Sequence, residues 1–256
     1  MKKKWLVLFA VIFTSIIFNA CNKSNSVSPA INTGTNAAYF PNKDGNYYVY
    51  SIHSTDSTGG TITGTRSATY SGSAVINGIT YQQEIDTVAF GLATQVNPSF
   101  FLVSGDTVFF ALDTTGMYKL IPDSIKPYIS FDTKLKAYDL SFTSGSSWDV
   151  FSLGLIFSPS KFISVTATYQ GTEQITLNLT SGQSTQTARV INYTLKLSIP
   201  GQTPAQYSAT AWLVQNIGVV KWQGSGAVFS AFSGGGVNLA DSTTTVAETL
   251  LSYSVK

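Results

Sequence analysis

Between residues 163 and 214 the chain alternates apolar and polar positions with a period of two. Ile163, Val165, Ala167 and Tyr169 alternate with Ser164, Thr166 and Thr168. Beyond a predicted turn at Gln170-Gly171, Ile175, Leu177 and Leu179 alternate with Thr176, Asn178 and Thr180. Beyond Ser181-Gly182 the apolar positions are Ile191, Tyr193, Leu195, Leu197 and Ile199; beyond residues 200–204 they are Tyr207, Ala209, Ala211 and Leu213. Successive side chains of a strand point to opposite faces. The pattern therefore predicts an antiparallel meander with one apolar face and one face in water.

The first half of the chain reads differently. Ile76-Asn77-Gly78-Ile79 predicts a hairpin, because Asn-Gly accepts positive φ at both central positions of a type I′ turn. A second hairpin is predicted around Gly105-Asp106. Residues 100–103, 108–110 and 153–157, however, are apolar on both faces. Such strands are covered on both sides, or one of their faces lines a hollow. The fold class that follows is all-β: one antiparallel, strongly curved sheet or partly open barrel, with a two-sheet β-sandwich as the alternative. In the curved sheet, Phe100, Phe101, Val103, Phe109, Phe110, Leu155 and Phe157 become candidate lining for an apolar ligand. No segment of helical length shows a 3.6-residue period; the best helical candidate is a short turn near residues 122–128, limited by Pro127.

Composition narrows the function classes. Only 11% of residues are charged, against a usual share of about 25%. One Cys and one His exclude a disulfide scaffold and a Cys/His metal cluster. Lys2, Lys3 and Lys4 precede an apolar run over residues 5–18, too short for a bilayer-spanning helix and of the right length for a secretory signal. Phe18-Asn19-Ala20-Cys21 follows, and it resembles the lipobox of bacterial lipoproteins. That resemblance implies removal of residues 1–20 and acylation of Cys21. Two or more acyl chains make such an anchor stable. Asn22 after the Cys, where the family's inner-membrane members carry Asp, implies the outer membrane of a Gram-negative-type bacterium. Three of the 15 basic residues lie in residues 1–20, so the remainder is slightly acidic. No electrostatic case for nucleic acid is left. Residues 21–36 read as the lipidated Cys and a flexible tether, and residues 37–256 as a single domain large enough for one core.

Three further stretches resemble a family of uncharacterised bacterial lipoproteins. Tyr39-Phe40-Pro41 with Gly45-Asn46 and Tyr47–Tyr50 resembles its opening segment. Gly145-Ser146-Ser147-Trp148 resembles a mid-chain segment, and Ile217-Gly218-Val219-Val220-Lys221 a late one. The family looks akin to curved-sheet proteins of the lipoprotein-carrier type, and the resemblance implies that fold but no catalytic residues.

Candidate chemistry is sparse. His53 lies in a strand with no Gly-x-Ser-x-Gly elbow elsewhere, so it reads as structural. Glu84 and Asp86, two apart in a strand, share one face. Such a pair suits carboxylate-dependent hydrolysis, or the wet face of an edge strand. Asn42-Lys43-Asp44-Gly45-Asn46 reads as a turn, since it lacks the ligand spacing of a Ca²⁺ loop. Trp148, Trp212 and Trp222 with Tyr47, Tyr48 and Tyr50 could stack on a sugar or pack a sheet core. Alternation puts Trp212 on the polar face, as a candidate exposed contact. Gly234-Gly235-Gly236 reads as a loop. Taken together, these features predict a non-enzymatic envelope lipoprotein without cofactor or metal. Its expected partners are the membrane, through Cys21, and an apolar or lipid ligand within the sheet; a surface glycan- or protein-binding module is the alternative.

Overall fold

The computed structural model of the protein describes residues 36–111, 124, 126–131, 135–157, 161–198, 203–232 and 244–256. The predicted signal, Cys21, Pro122 and Gly234–Gly236 lie outside the described residues. The strands are β1 (Tyr47–Thr55), β2 (Thr61–Ile76), β3 (Ile79–Phe90), β4 (Ala93–Ser104), β5 (Thr107–Ala111), β6 (Ile129–Phe131) and β7 (Leu135–Asp139). They continue as β8 (Ser147–Leu155), β9 (Lys161–Leu179), β10 (Gly182–Leu197), β11 (Ala205–Val214), β12 (Gly218–Ser225) and β13 (Thr245–Ser254). A short helix, α1 (Gly226–Phe232), follows β12, and Lys126–Tyr128 forms a 3₁₀ turn where the sequence placed its helical candidate.

The 13 strands of the described residues form one antiparallel sheet, in the order β6-β8-β9-β10-β11-β12-β13-β1-β2-β3-β4-β5-β7. The sheet curls until β7 lies beside β8, making a nearly closed barrel with an unsealed seam. This is the curved sheet or partly open barrel read from the sequence, and the sandwich alternative does not apply. The two edges are short, three residues in β6 and five in β7, and Lys136 sits on β7. Short edges carrying Lys offer little template for pairing with another chain.

Both predicted hairpins are present. Ile76 pairs with Ile79 across Asn77 (φ 51°) and Gly78 (φ 76°), and Ser104 pairs with Thr107. The predicted turn at Gln170-Gly171 is instead a bulge within the continuous 19-residue β9. Tyr169 pairs with Ile191 and Gly171 with Val190, so Gln170 is the extra residue. One extra residue exchanges the faces of everything beyond it. Ile163, Val165, Ala167 and Tyr169 therefore face the barrel interior, whereas Ile175 and Leu177, of the same parity, lie on the outer face.

Beyond the Glu173–Ala188 pair the β9–β10 hairpin has no lateral strand partner among the described residues, because β8 pairs no further than Thr168 and β11 no further than Ala188. It acts as an arm over the outside of the sheet. Its tip bonds to β13 through Thr180 N–H to the Leu251 carbonyl (2.8 Å). Ile175 and Leu177 are buried there.

The interior is filled largely by aromatic side chains. Tyr193, fully buried on β10, stacks on Trp222 at 5.2 Å between centroids and donates to the Ala137 carbonyl across the barrel (3.0 Å). Helix α1, which has no helical period in the sequence, places Phe232 against Tyr193, Trp222 and Phe110. The stretch leading into β1 contributes to the same core. Phe40 enters the core against Phe101 and Tyr138, and Asn216 N–H donates to the Ala38 carbonyl (2.8 Å).

Tight packing of β12 on β11 requires Gly224. Its φ is +145°, and a Cβ there would lie 2.4 Å from Ala209 Cα and 2.4 Å from the Ser208 carbonyl oxygen. Gly224→Ala should lower stability by on the order of 3 kcal/mol, read as the urea midpoint. An unchanged midpoint would show that β11 and β12 do not approach this closely.

Candidate functional site

Inward-pointing positions of five neighbouring strands carry a charged cluster. Tyr48, Tyr50 and Ile52 face inward on β1, and Arg66, Ala68 and Tyr70 on β2. Glu84 and Asp86 follow on β3, Ser99 and Phe101 on β4, and Glu248 and Leu250 on β13. Register brings them together: Arg66 lies opposite Tyr50, Ala68 opposite Asp86, and Tyr70 opposite Glu84. Ala68 is small, which leaves room for the Arg66 side chain to reach diagonally across the strands.

Arg66 holds Glu248 in a two-point contact, Nε to Oε1 at 2.6 Å and Nη2 to Oε2 at 3.1 Å. Its Nη1 donates to Asp86 Oδ1 and lies 3.5 Å from Glu84 Oε1. The guanidinium stands 4.4 Å from the centroid of the Tyr50 ring. Ser99 Oγ donates to Asp86 Oδ2 (3.1 Å). Arg66, Glu84, Asp86 and Glu248 are all buried. Among the described residues no group of His, Cys, Asp or Glu is arranged to hold a metal ion.

One guanidinium thus faces three carboxylates away from water. Burial favours the uncharged acid, while Arg66 opposes it. For Glu84, which Arg66 touches only at long range, burial and the neighbouring Asp86 raise the pKa to about 8. Burial also pushes Asp86 and Glu248 up, against their direct bonds to Arg66. Nearby, burial raises the Tyr50 and Tyr70 hydroxyls as well.

The cluster borders a small cavity walled by Phe40, Tyr48, Tyr70, Phe101, Tyr138, Trp222, Phe229 and Phe232 together with Arg66, Glu84 and Glu248. The centres of water-sized molecules can move within about 50 Å³ of it. That is room for only a few waters, at roughly 10–15 Å³ each. Trp222 is part of this wall, and its indole N–H is buried with no hydrogen-bond partner among the described residues.

The sequence-predicted site residues are placed differently. Of the seven candidate lining residues only Phe101 reaches the cavity; Phe110 packs in the core on Phe232. Phe100, Val103, Phe109 and Leu155 are half-buried elsewhere on their strands. Phe157 is 70% exposed, against Tyr128. Two apolar faces on a strand mean a lining face only where a hollow lies behind them; here Phe110 lies in the core, and Val103 and Leu155 pack against it.

Trp212 is not an exposed contact. It is buried beneath the β9–β10 arm, with Nε1 donating to Glu173 (2.8 Å) and Lys221 Nζ 4.3 Å from the ring centroid. Glu84 and Asp86 do share a face, but it is the inner face of a central strand and not the wet side of an edge. The aromatic residues form no outer sugar platform: Trp148 is buried on β8, whereas Tyr48, Tyr50 and Trp222 line the cavity. His53 is exposed on β1, and Asn42–Asn46 is a turn closed by Asn46 N–H to the Lys43 carbonyl.

Arg66 and Glu248 escaped the sequence reading. The available signal was phase: Arg66 shares parity with Ala68 and Tyr70, and Glu248 with Val246 and Leu250. A charged residue in the apolar phase of a strand calls for a buried partner.

Stability should depend on pH through Glu84. An ordinary glutamate titrates near 4.5, so between about 4.5 and 8 the folded protein keeps a proton that the unfolded chain has released. Stability therefore falls as pH rises through this window, by up to about 1.4 kcal/mol per pH unit from this group, and levels off above it. Urea midpoints should drop from pH 5 to pH 8, and Glu84→Gln should flatten the slope. Equal slopes in the two proteins would remove Glu84 as the cause. Arg66→Ala, which leaves the carboxylates unpaired, should cost about 3–5 kcal/mol.

No family model and no curated protein matches the chain. Solved structures do resemble it. A candidate exported protein with YmcC-like fold from Bacteroides fragilis is 13% identical, with TM-score 0.44, covering 84% of this chain and 98% of the other. A candidate lipoprotein from Parabacteroides distasonis is 10% identical, with TM-score 0.42 and coverages of 84% and 98%. The hypothetical lipoprotein YmcC from Escherichia coli is 13% identical, with TM-score 0.32 and coverages of 80% and 84%.

Proposed function

We propose that the chain is an exported protein, fixed to the outer membrane by lipid on Cys21, and that its barrel binds a small ligand and is not an enzyme. The anchor rests on the basic start, the apolar run and the lipobox-like Phe18-Asn19-Ala20-Cys21. The binding role rests on one observation: the aromatic cavity that opens onto Arg66, Glu84 and Glu248. Packed cores are normally apolar, and buried charges are costly to keep unless they pair. Catalysis is disfavoured because Asp86 and Glu248, the two acids beside Glu84, are bonded directly to Arg66 and held in a structural ion cluster.

The size of the cavity argues against an acyl-chain ligand. Pockets for drug-sized ligands run to about 300–1,000 Å³. The space here suits a molecule of a few heavy atoms. A surface glycan or protein module loses its main support once Trp212 is covered.

Two measurements test this reading. The full chain expressed in a diderm bacterium should sediment with membranes, and Cys21→Ser should move it to the soluble fraction. Sedimentation unchanged by Cys21→Ser would overturn the anchor. Native mass spectrometry of the full chain in detergent should show the covalent acyl groups and no retained phospholipid. A reproducible non-covalent lipid would restore the carrier reading.

A further inference from the structure

Resting on the acyl anchor proposed above, we infer that Tyr128, Ile156 and Phe157 dock onto the bilayer that holds Cys21, dipping into its layer of phospholipid headgroups. Phe157 is 70%, Ile156 64% and Tyr128 50% exposed. They form one patch: the Tyr128 and Phe157 rings meet at 5.5 Å between centroids, and Ile156 N–H donates to the Tyr128 carbonyl (2.8 Å). Side chains of this size together leave roughly 350 Å² of apolar surface in water, an extent that often marks a functional face.

The setting of the patch suits lipid. Lys126 lies two residues before Tyr128, and the exposed Lys161 pairs with Gly154 near the end of β8. Aromatic rings beside Lys are what a protein presents to headgroups: the rings sit at the boundary, and the ammonium groups meet phosphate. The same end of the barrel carries two more apolar side chains on separate elements. Leu92 is fully exposed in the turn between β3 and β4, and Ile62, 56% exposed, stands at the start of β2. Neighbouring strands run in opposite directions, so β3 and β8 both end, and β2 begins, at this end. Apolar residues on separate turns make a broken surface for a protein partner, whereas a fluid bilayer closes around each one.

The chain between the anchor and the barrel is long enough. It enters at the opposite end, where Asn36 N–H donates to Asp106 in the turn between β4 and β5, and Tyr39 packs on Phe142 ahead of β8. From there to the patch is about the length of β8, nine residues or roughly 30 Å. Fifteen residues lead from Cys21 to Asn36, and they span at most about 50 Å. A barrel standing on the patch is therefore within reach of its own anchor. The anchor also lowers the affinity that docking needs. A short tether keeps the patch beside the bilayer at an effective concentration in the millimolar range, so weak insertion suffices. Without the anchor, the patch alone holds too weakly to keep the chain on membranes.

The test reads the depth of the patch in the full acylated chain, reconstituted in vesicles of phosphatidylethanolamine and phosphatidylglycerol. An environment-sensitive fluorophore is attached at Phe157→Cys and, for comparison, at Ser73→Cys, an exposed position near the far end of β2. The label at 157 should shift to the blue. Nitroxide-labelled phospholipid should quench it about threefold or more strongly than the label at 73, which should stay open to iodide. Combining Ile156→Ser with Phe157→Ser should return a label at Tyr128→Cys to water.

A chain that floats with the vesicles while both labels stay equally open to iodide would overturn the docking and leave the anchor in place. A chain that does not float would overturn the anchor and the docking with it. Shielding at 157 that grows with protein concentration and ignores the nitroxide lipid would overturn the bilayer as occupant and assign the face to a second copy of the chain. Every substituted position is exposed, so the comparison does not depend on a core substitution that could unfold the barrel.

Discussion

Arg66 carries a charge where charge is expensive, and its surroundings are arranged to meet that cost. From β2 it contacts Tyr50 on β1, Asp86 and Glu84 on β3, and Glu248 on β13; Asp86 extends the linkage to Ser99 on β4. Five strands adjacent in the sheet are thereby tied from the inside. A backbone ladder fixes each strand only to its immediate neighbours and leaves the curvature of the sheet free. A rigid, forked guanidinium bonded on opposite sides fixes the curvature as well.

On the opposite wall, aromatic contacts hold the curl. Tyr193 reaches from β10 to Ala137 on β7, and Tyr138 beside it meets Phe40 and Phe232. The hydrogen bond from Tyr193 crosses the interior close to the seam, where no strand ladder joins β7 to β8. Side chains thus join two regions that the backbone leaves unjoined. The polar wall and the aromatic wall meet at the cavity, and the composition of the cavity follows from that meeting.

Much of the fold was legible in the sequence, and the limits have physical causes. Alternation located the strands of the second half, and Asn77-Gly78 located a hairpin, because both signals are local. The bulge at Gln170 reads as a turn in the sequence, because apolar residues separated by Gln-Gly show the same pattern either way. Whether the chain reverses there depends on what pairs with it, which is a non-local fact. Helix α1 was missed because seven residues are too few to show a period. At the site, Glu84 and Asp86 stood out by spacing, but their environment was inverted. The partner that buries them, Arg66, comes from another strand, and Glu248 comes from almost the far end of the chain. Trp212 was placed on the correct face; the arm covering it could be foreseen only once the bulge was known.

The bulge also bears on how this chain can change over generations. Removing Gln170 would restore strict alternation and swing Ile175 and Leu177 from the covered outer face to the opposite side of the hairpin. Removing two residues would preserve the faces and merely shorten the arm. Insertions and deletions between Tyr169 and Leu177 should therefore survive in even numbers and be purged in odd ones. The length of this segment is under a parity rule, while the identity of its polar residues is left free to drift.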